Sequence, residues 1–290
     1  IFGTAAPGEK VTVSFKGQSA ETLTADNGKW LLLLESMPAD AQGAALSIKG
    51  KDNAVEFKNV VVGDVWLCGG QSNMTWPVRS ALNPQADIDA SANPLIRHIK
   101  AELTPVDAPQ DSVPVTPWQE ASPETTANFT ATGYFFARAL QKEIGVPVGL
   151  LHISFGGTQV EAWMSEQAIR ENPQHDDVQK RWQMTLDSYP ARYKAYEQKL
   201  KQWESSGKRG RMPVKPEGPG TRTQPASLYN GMLHPALPYN IAGILWYQAE
   251  ANSPRYHSYG ELIRGMIRLW RADFKQGDLP FYYVELANNK

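Results

Sequence analysis

Two periodicities divide the chain. Over residues 1–59 apolar side chains alternate with polar ones: Val11, Val13 and Phe15, then Trp30, Leu32 and Leu34, then Leu46 and Ile48, then Val55 and Phe57. A period of two is that of strands with one buried face. Gly8, Gly17, Asn27-Gly28, Pro38, Gly43 and Gly50 punctuate these runs as turns. The pattern predicts a small antiparallel β-sandwich lacking its first strands, with Trp30 in phase with the inward leucines and therefore in the core. From residue 60 the pattern changes. Short apolar runs at 60–67, 148–154, 241–246 and 281–286 read as strands. Tyr134, Ala137, Leu140 and Ile144 mark one amphipathic helix between them, and Leu262, Met266, Leu269 and Trp270 another. Apolar strands alternating with helices predict an α/β domain over 60–290, its parallel sheet covered on both faces.

Residues 176–225 interrupt that alternation. Trp182, Leu186, Tyr189, Tyr193, Tyr196, Leu200 and Trp203 are spaced for a helical hairpin broken near Pro190. A Gly/Pro/Arg-rich loop follows over 208–225, so the insertion is a lid over a cleft or a surface decoration.

Composition narrows the partners. Among 290 residues, 29 Lys and Arg balance 30 Asp and Glu for a net charge of −1. No basic field exists to draw nucleic acid or a membrane surface, and neither is expected as a partner. The single cysteine, Cys68, lies in a strand pattern and excludes an intrachain disulfide. No metal-ligand spacing and no nucleotide-binding motif occurs, so no metal and no cofactor is expected. The chain opens inside a strand pattern without an initiator Met and ends just after another, which reads as truncation at both ends. A periplasmic or secreted location is the expectation, and no oligomeric state is assigned.

Chemistry concentrates at three strand ends. The first reads Gly70-Gln71-Ser72-Asn73-Met74, with Ser72 where a helix would begin. There it is either an N-cap or a nucleophile whose oxyanion is stabilised by unpaired helix amides. The second reads Ser154-Phe155-Gly156-Gly157-Thr158, followed by Glu161 and Trp163; paired glycines let backbone amides approach a ligand. The third reads Trp246-Tyr247-Gln248-Ala249-Glu250-Ala251-Asn252, and the Gln248 amide can donate without carrying charge. A hydroxyl with two further donors is what acyl transfer needs. Gln71, Asn73, Arg79, Trp163 and Glu250 are the candidates for substrate contacts, Arg79 for a carboxylate and Trp163 for a ring.

GQSNM, the ISFGGT…EAW segment and LYNGMLHPALPYNIAGILWYQAEAN resemble the conserved blocks of bacterial sialate O-acetylesterase-like proteins, a branch of the SGNH hydrolases. The likeness runs over essentially the whole chain. It implies a flavodoxin-like three-layer α/β/α domain behind a β-sandwich, and release of acetyl groups from O-acetylated sugars. Sialic acids are the first such substrate, with acetylxylan or another polysaccharide, or a non-catalytic carbohydrate-binding relative, as alternatives. It implies Ser72 as nucleophile, with an oxyanion hole from the amides of Ser72 and Gly157 (or Gly156) and from Gln248. Two departures stand out. Ala249 replaces the usual Gly of WYQGE, at about 1 kcal/mol if the position needs φ > 0. The family's D-x-x-H-P segment, source of the catalytic Asp and His, is absent, and the dyad is expected beyond residue 290. Of the histidines here, His98 and His175 read as solvated and His152 as a core residue. His234, with Gly231 in place of the Asp, and His257 are weak substitutes.

Overall fold

The structure is a computed structural model that describes residues 1–287. Six strands come first: β1 (Phe2–Thr4), β2 (Lys10–Phe15), β3 (Gln18–Leu23), β4 (Lys29–Leu31), β5 (Asp40–Lys49) and β6 (Ala54–Val62). β2, β3, β5 and β6 form an antiparallel sheet in the order 3-2-5-6, and β1 pairs with β4 in a second sheet. Between them Val11, Val13, Phe15, Trp30, Leu32 and Leu46 are buried together, the inward set of the alternating pattern.

The apolar run at 60–67 proves to be two strands. Residues 60–62 finish β6, and β7 (Asp64–Gly70) starts a different sheet. Gly63 is the break: a Cβ there would lie 2.1 Å from the Pro147 carbonyl oxygen. Apolarity alone could not reveal this, because both halves are equally hydrophobic and only the backbone changes direction.

After β7 come α1 (Ser72–Thr75), α2 (Pro84–Asp89), β8 (Asn93–Lys100), β9 (Gln119–Ala121), α3 (Ala131–Ile144), β10 (Val148–Ser154), α4 (Glu166–Arg170), α5 (His175–Ser205), β11 (Gly243–Tyr247), α6 (Tyr256–Phe274) and β12 (Phe281–Tyr283). The sheet runs in the order 12-11-7-10-8-9, parallel throughout except for the antiparallel edge strand β9. Alternate residues of β7 face opposite layers. Leu67 packs with Ile153, Trp246 and, from α6, Leu262, Met266 and Trp270. Trp66 and Cys68 pack with Leu150, Leu245 and, from α3, Tyr134 and Ala137. The result is a mixed α/β domain with helices on both faces. β8 and β10 lie on one side of β7, and β11 and β12 on the other. The C-terminal end of β7 is therefore a topological switch point, where open α/β sheets bind ligands.

β8 escaped the sequence reading because Arg97, His98 and Lys100 interrupt its apolar run. Arg97 leads its guanidinium out to the Asn59 carbonyl (2.6 Å) and to Glu120 (3.2 Å). His98, expected in solvent, is 3% exposed and stacks on Phe129 with ring centroids 4.5 Å apart.

The expected helical hairpin is instead one 31-residue helix, α5, with Pro190 inside it. Proline removes a helix hydrogen bond and usually kinks the chain. The carbonyl deprived of its donor is that of Leu186, and in the turn before it Ser188 Oγ donates to Met184 O (2.9 Å) and Arg192 Nη2 to Thr185 O (3.1 Å). Segment 208–225 lies along the helix, Gly218 seated on the Tyr189 ring and Lys215 over Tyr193. No helix among the described residues is long and apolar enough to cross a membrane.

Candidate active site

Strand register brings the three loops together. Ser154 and Tyr247 are the partners of Gly70 in the sheet, so β7, β10 and β11 end at one level. Phe155 N donates to Gly70 O (3.0 Å) and Gln71 N to Tyr247 O (2.9 Å). Gly70 has φ +136°, and a Cβ there would sit 2.1 Å from Tyr247 O, so only glycine passes this point. The chain then enters α1 with Ser72 as its first residue, solvent-exposed. Gly156 lies against it, its would-be Cβ 3.5 Å from Ser72 Cβ. Gly157 has φ +73° and faces the Arg222 guanidinium. Among the described residues nothing accepts a hydrogen bond from the amides of Ser72, Gly156 or Gly157. At a helix start such amides carry partial positive charge.

Gln248 reaches the same place but not in the expected role. Its side chain is 2% exposed, and Nε2 donates to Asn252 Oδ1 (2.8 Å), Thr158 O (3.0 Å) and Gln71 Oε1 (3.2 Å). Two amide hydrogens already serve three protein acceptors, so none is free for an oxyanion. Gln71, expected to touch substrate, is 3% exposed; its Oε1 also accepts from Ala251 N (3.3 Å). Together these side chains lock the first and third loops to each other. Asn73 Nδ2 donating to Glu250 Oε1 makes a second tie between the same loops.

Trp163 is a further correction. It is fully buried, with Nε1 donating to Thr158 Oγ1 (3.1 Å) and its ring packed edge-on against Trp246, so it cannot meet a substrate. Its apolar ring is spent in the core. Arg79 is exposed, its Nη1 engaged by Asn128 Oδ1 and Ala127 O. Ala249 has φ +154°, so the methyl sits in backbone space that suits glycine.

Two polar assemblies support the loops, and neither was legible as such in the sequence. Glu161, 4% exposed, accepts from Arg181 Nη1 (2.8 Å) and Arg255 Nη1 (3.0 Å) on one oxygen and from Asn252 Nδ2 (3.0 Å) on the other. Asn252 in turn takes the Val160 amide (3.0 Å), tying this ion cluster to Gln248. Beside it opens a cleft of ≈ 360 Å³, lined by Gln159, Glu161, Arg181, Trp182, Arg192 and Ala251 among others. The second assembly is a buried chain beneath Ser72. Thr75 Oγ1 donates to Gln71 O (3.1 Å) and so accepts from Ser154 Oγ (2.8 Å). Ser154 then accepts from His152 Nε2 (2.6 Å), which leaves His152 Nδ1 to accept from His98 Nε2 (3.2 Å). His152 must be neutral for this pattern, because its Nδ1 accepts. Burial agrees: desolvation lowers His98 to about 3 and His152 well below the ordinary histidine range, with the neighbouring Lys100 adding to both.

No histidine or carboxylate among the described residues is hydrogen-bonded to the Ser72 hydroxyl. His234 Nδ1 meets Gln110 O (2.8 Å), and its ring packs on Tyr229. His257 packs on Tyr256. Among the described residues no group of three His, Cys, Asp or Glu side chains gathers as a metal site requires.

Comparison with known proteins identifies the family of the chain. Residues 62–209 and 197–290 match the family described as carbohydrate esterase, sialic acid-specific acetylesterase. The chain belongs to that family. Among curated members, the sialate O-acetylesterase of Rattus norvegicus is 28% identical over 320 residues, 99% of this chain and 56% of the relative. That of Homo sapiens is 26% identical over 319 residues, 100% of this chain and 54% of the relative. A solved structure, a carbohydrate acetylesterase from Xanthomonas citri, superposes with a TM-score of 0.78 at 30% identity, covering 99% of this chain and 56% of that one. The chain thus spans about half the length of the acetylesterases it matches.

Proposed function

We propose that this chain carries the nucleophile and the oxyanion donors of an esterase that removes acetyl groups from O-acetylated sugars. The observation that carries the reading is the exposed Ser72 hydroxyl at the end of β7, with the unpaired amides of its own helix turn and of Gly156-Gly157 against it. Ser72 Oγ attacks the acetyl carbonyl and gives its proton to a general base. The oxygen turns negative facing the amides of Ser72 and Gly157, and the tetrahedral intermediate expels the sugar hydroxyl. Water then releases acetate from the acetyl-serine. Gln248 supports this by holding Gln71 and Thr158 in place rather than by touching the oxyanion. Among the described residues none of the five histidines is hydrogen-bonded to Ser72, and the general base is assigned to none of them.

Sialic acid is the favoured sugar, on the family description. Acetylxylan or another acetylated polysaccharide is the alternative. Acetate release from an O-acetylated sialic acid and from acetylated xylan, measured with the complete gene product, separates them. Ser72→Ala should lower turnover on the order of 10⁴-fold or more while leaving sugar binding intact. Acetate release that survives the substitution overturns the assignment. A wild-type protein that binds sugar without releasing acetate is a carbohydrate-binding relative.

A further inference from the structure

Trp163 is buried, yet the site does present an aromatic face. We infer that the indole of Trp76 is the platform on which the ring of the O-acetylated sugar lies, an inference that rests on Ser72 being the reactive residue. Trp76 is 51% exposed, more than any other of the nine tryptophans. Five of the others are buried, and Trp118, at 39%, covers Gly149 in the sheet. An indole left half in water leaves apolar area unburied, at roughly 25 cal/mol per Å², with nothing in the fold to offset it.

Placement relates it to Ser72. Along this stretch Gln71, Met74 and Val78 are buried, whereas Ser72, Trp76 and Arg79 are exposed, and Trp76 directly follows the single helical turn that Ser72 opens. Four residues of helical rise separate them by about 6 Å. An acetyl group projecting from the rim of a pyranose ring spans a few ångströms, which is the offset between a ring over Trp76 and a carbonyl at Ser72.

The indole is also held still. Nε1 donates to Ser80 O at 2.7 Å, Trp76 O accepts from Ala131 N at 2.8 Å, and Pro77 bridges to Thr130. Its one polar group is occupied within the protein, so what remains to offer is the ring face. A rigid aromatic face matches the apolar C–H face of a pyranose and costs little ordering entropy on binding. The ligand class is therefore a pyranose ring, charged or neutral, presented by that face.

Trp76→Ala and Trp76→Phe in the complete gene product test this, with an O-acetylated sialic acid, an acetylated xylo-oligosaccharide and ethyl acetate as substrates. The ratio of kcat/KM on the sugar esters to that on ethyl acetate should fall about ten-fold or more in Trp76→Ala, through KM, and recover largely in Trp76→Phe. A ratio unchanged in Trp76→Ala overturns the inference. Calorimetric binding of the deacetylated sugars to Ser72→Ala protein, with and without Trp76→Ala, keeps the two questions apart because it requires no turnover. Binding lost with the indole supports the platform even if Ser72 proves not to be the nucleophile, and binding retained removes it.

Discussion

Acid should loosen this protein through the histidine chain beneath Ser72, and the size of the effect follows from burial. His98 is held near pKa 3 when folded, by desolvation and then by Lys100, against about 6.5 in the unfolded chain. Between those values the unfolded state binds the proton and the folded state does not. Stability is therefore complete above pH 6.5 and drains away as pH falls toward 3. At pH 5 the difference is 1.5 pH units at about 1.4 kcal/mol each, so His98 alone removes about 2 kcal/mol. His152, lowered by burial, by His98 and by Lys100, acts in the same direction. Asp273, raised by burial, acts in the opposite one. Against a total stability of about 5–15 kcal/mol the loss is large. Urea titrations followed by tryptophan fluorescence at pH 7.5 and pH 5.0 measure it. His98→Phe keeps a ring against Phe129 and has no proton to gain, so its drop between the two pH values should be smaller by about 2 kcal/mol. Equal drops in wild type and His98→Phe would refute the reasoning.

Other consequences follow from the site's supports. Glu161→Ala leaves Arg181 and Arg255 without their shared carboxylate and frees Asn252, which should cost about 3 kcal/mol in a urea titration. A loss below 1 kcal/mol would mean that solvent replaces the pair easily. Ala249→Gly relieves the φ of +154° and should raise stability by about 1 kcal/mol, the strain removed less the entropy glycine adds to the unfolded chain, again read from the urea midpoint.

Much of the architecture was legible from periodicity because burial dictates it. Val11, Val13 and Phe15 alternate because one face of their sheet is dry. β10 reads as a continuous apolar run because both its faces are covered. The α3 and α6 stripes repeat at helical spacing because each helix buries one side. The loops that carry Ser72 and the paired glycines could be read as turns at strand ends because turns and close backbone approaches admit few residue types.

Side-chain roles within the site are another matter, because they depend on which neighbours arrive from distant parts of the chain. Gln248 and Trp163 suited an oxyanion donor and a sugar platform by residue type. Gln71, Thr158 and Asn252 took the amide's hydrogens, and the Trp246 layer took the indole. Glu161 and His152 stood as isolated polar letters, and only the fold gave them Arg181, Arg255 and the His98–Ser154–Thr75 chain. Local sequence determines a backbone conformation and the face that must be buried. The partner of a buried polar group is decided by strands that meet only in the folded sheet, since each donor bonds to whichever acceptor the packing brings within 3 Å.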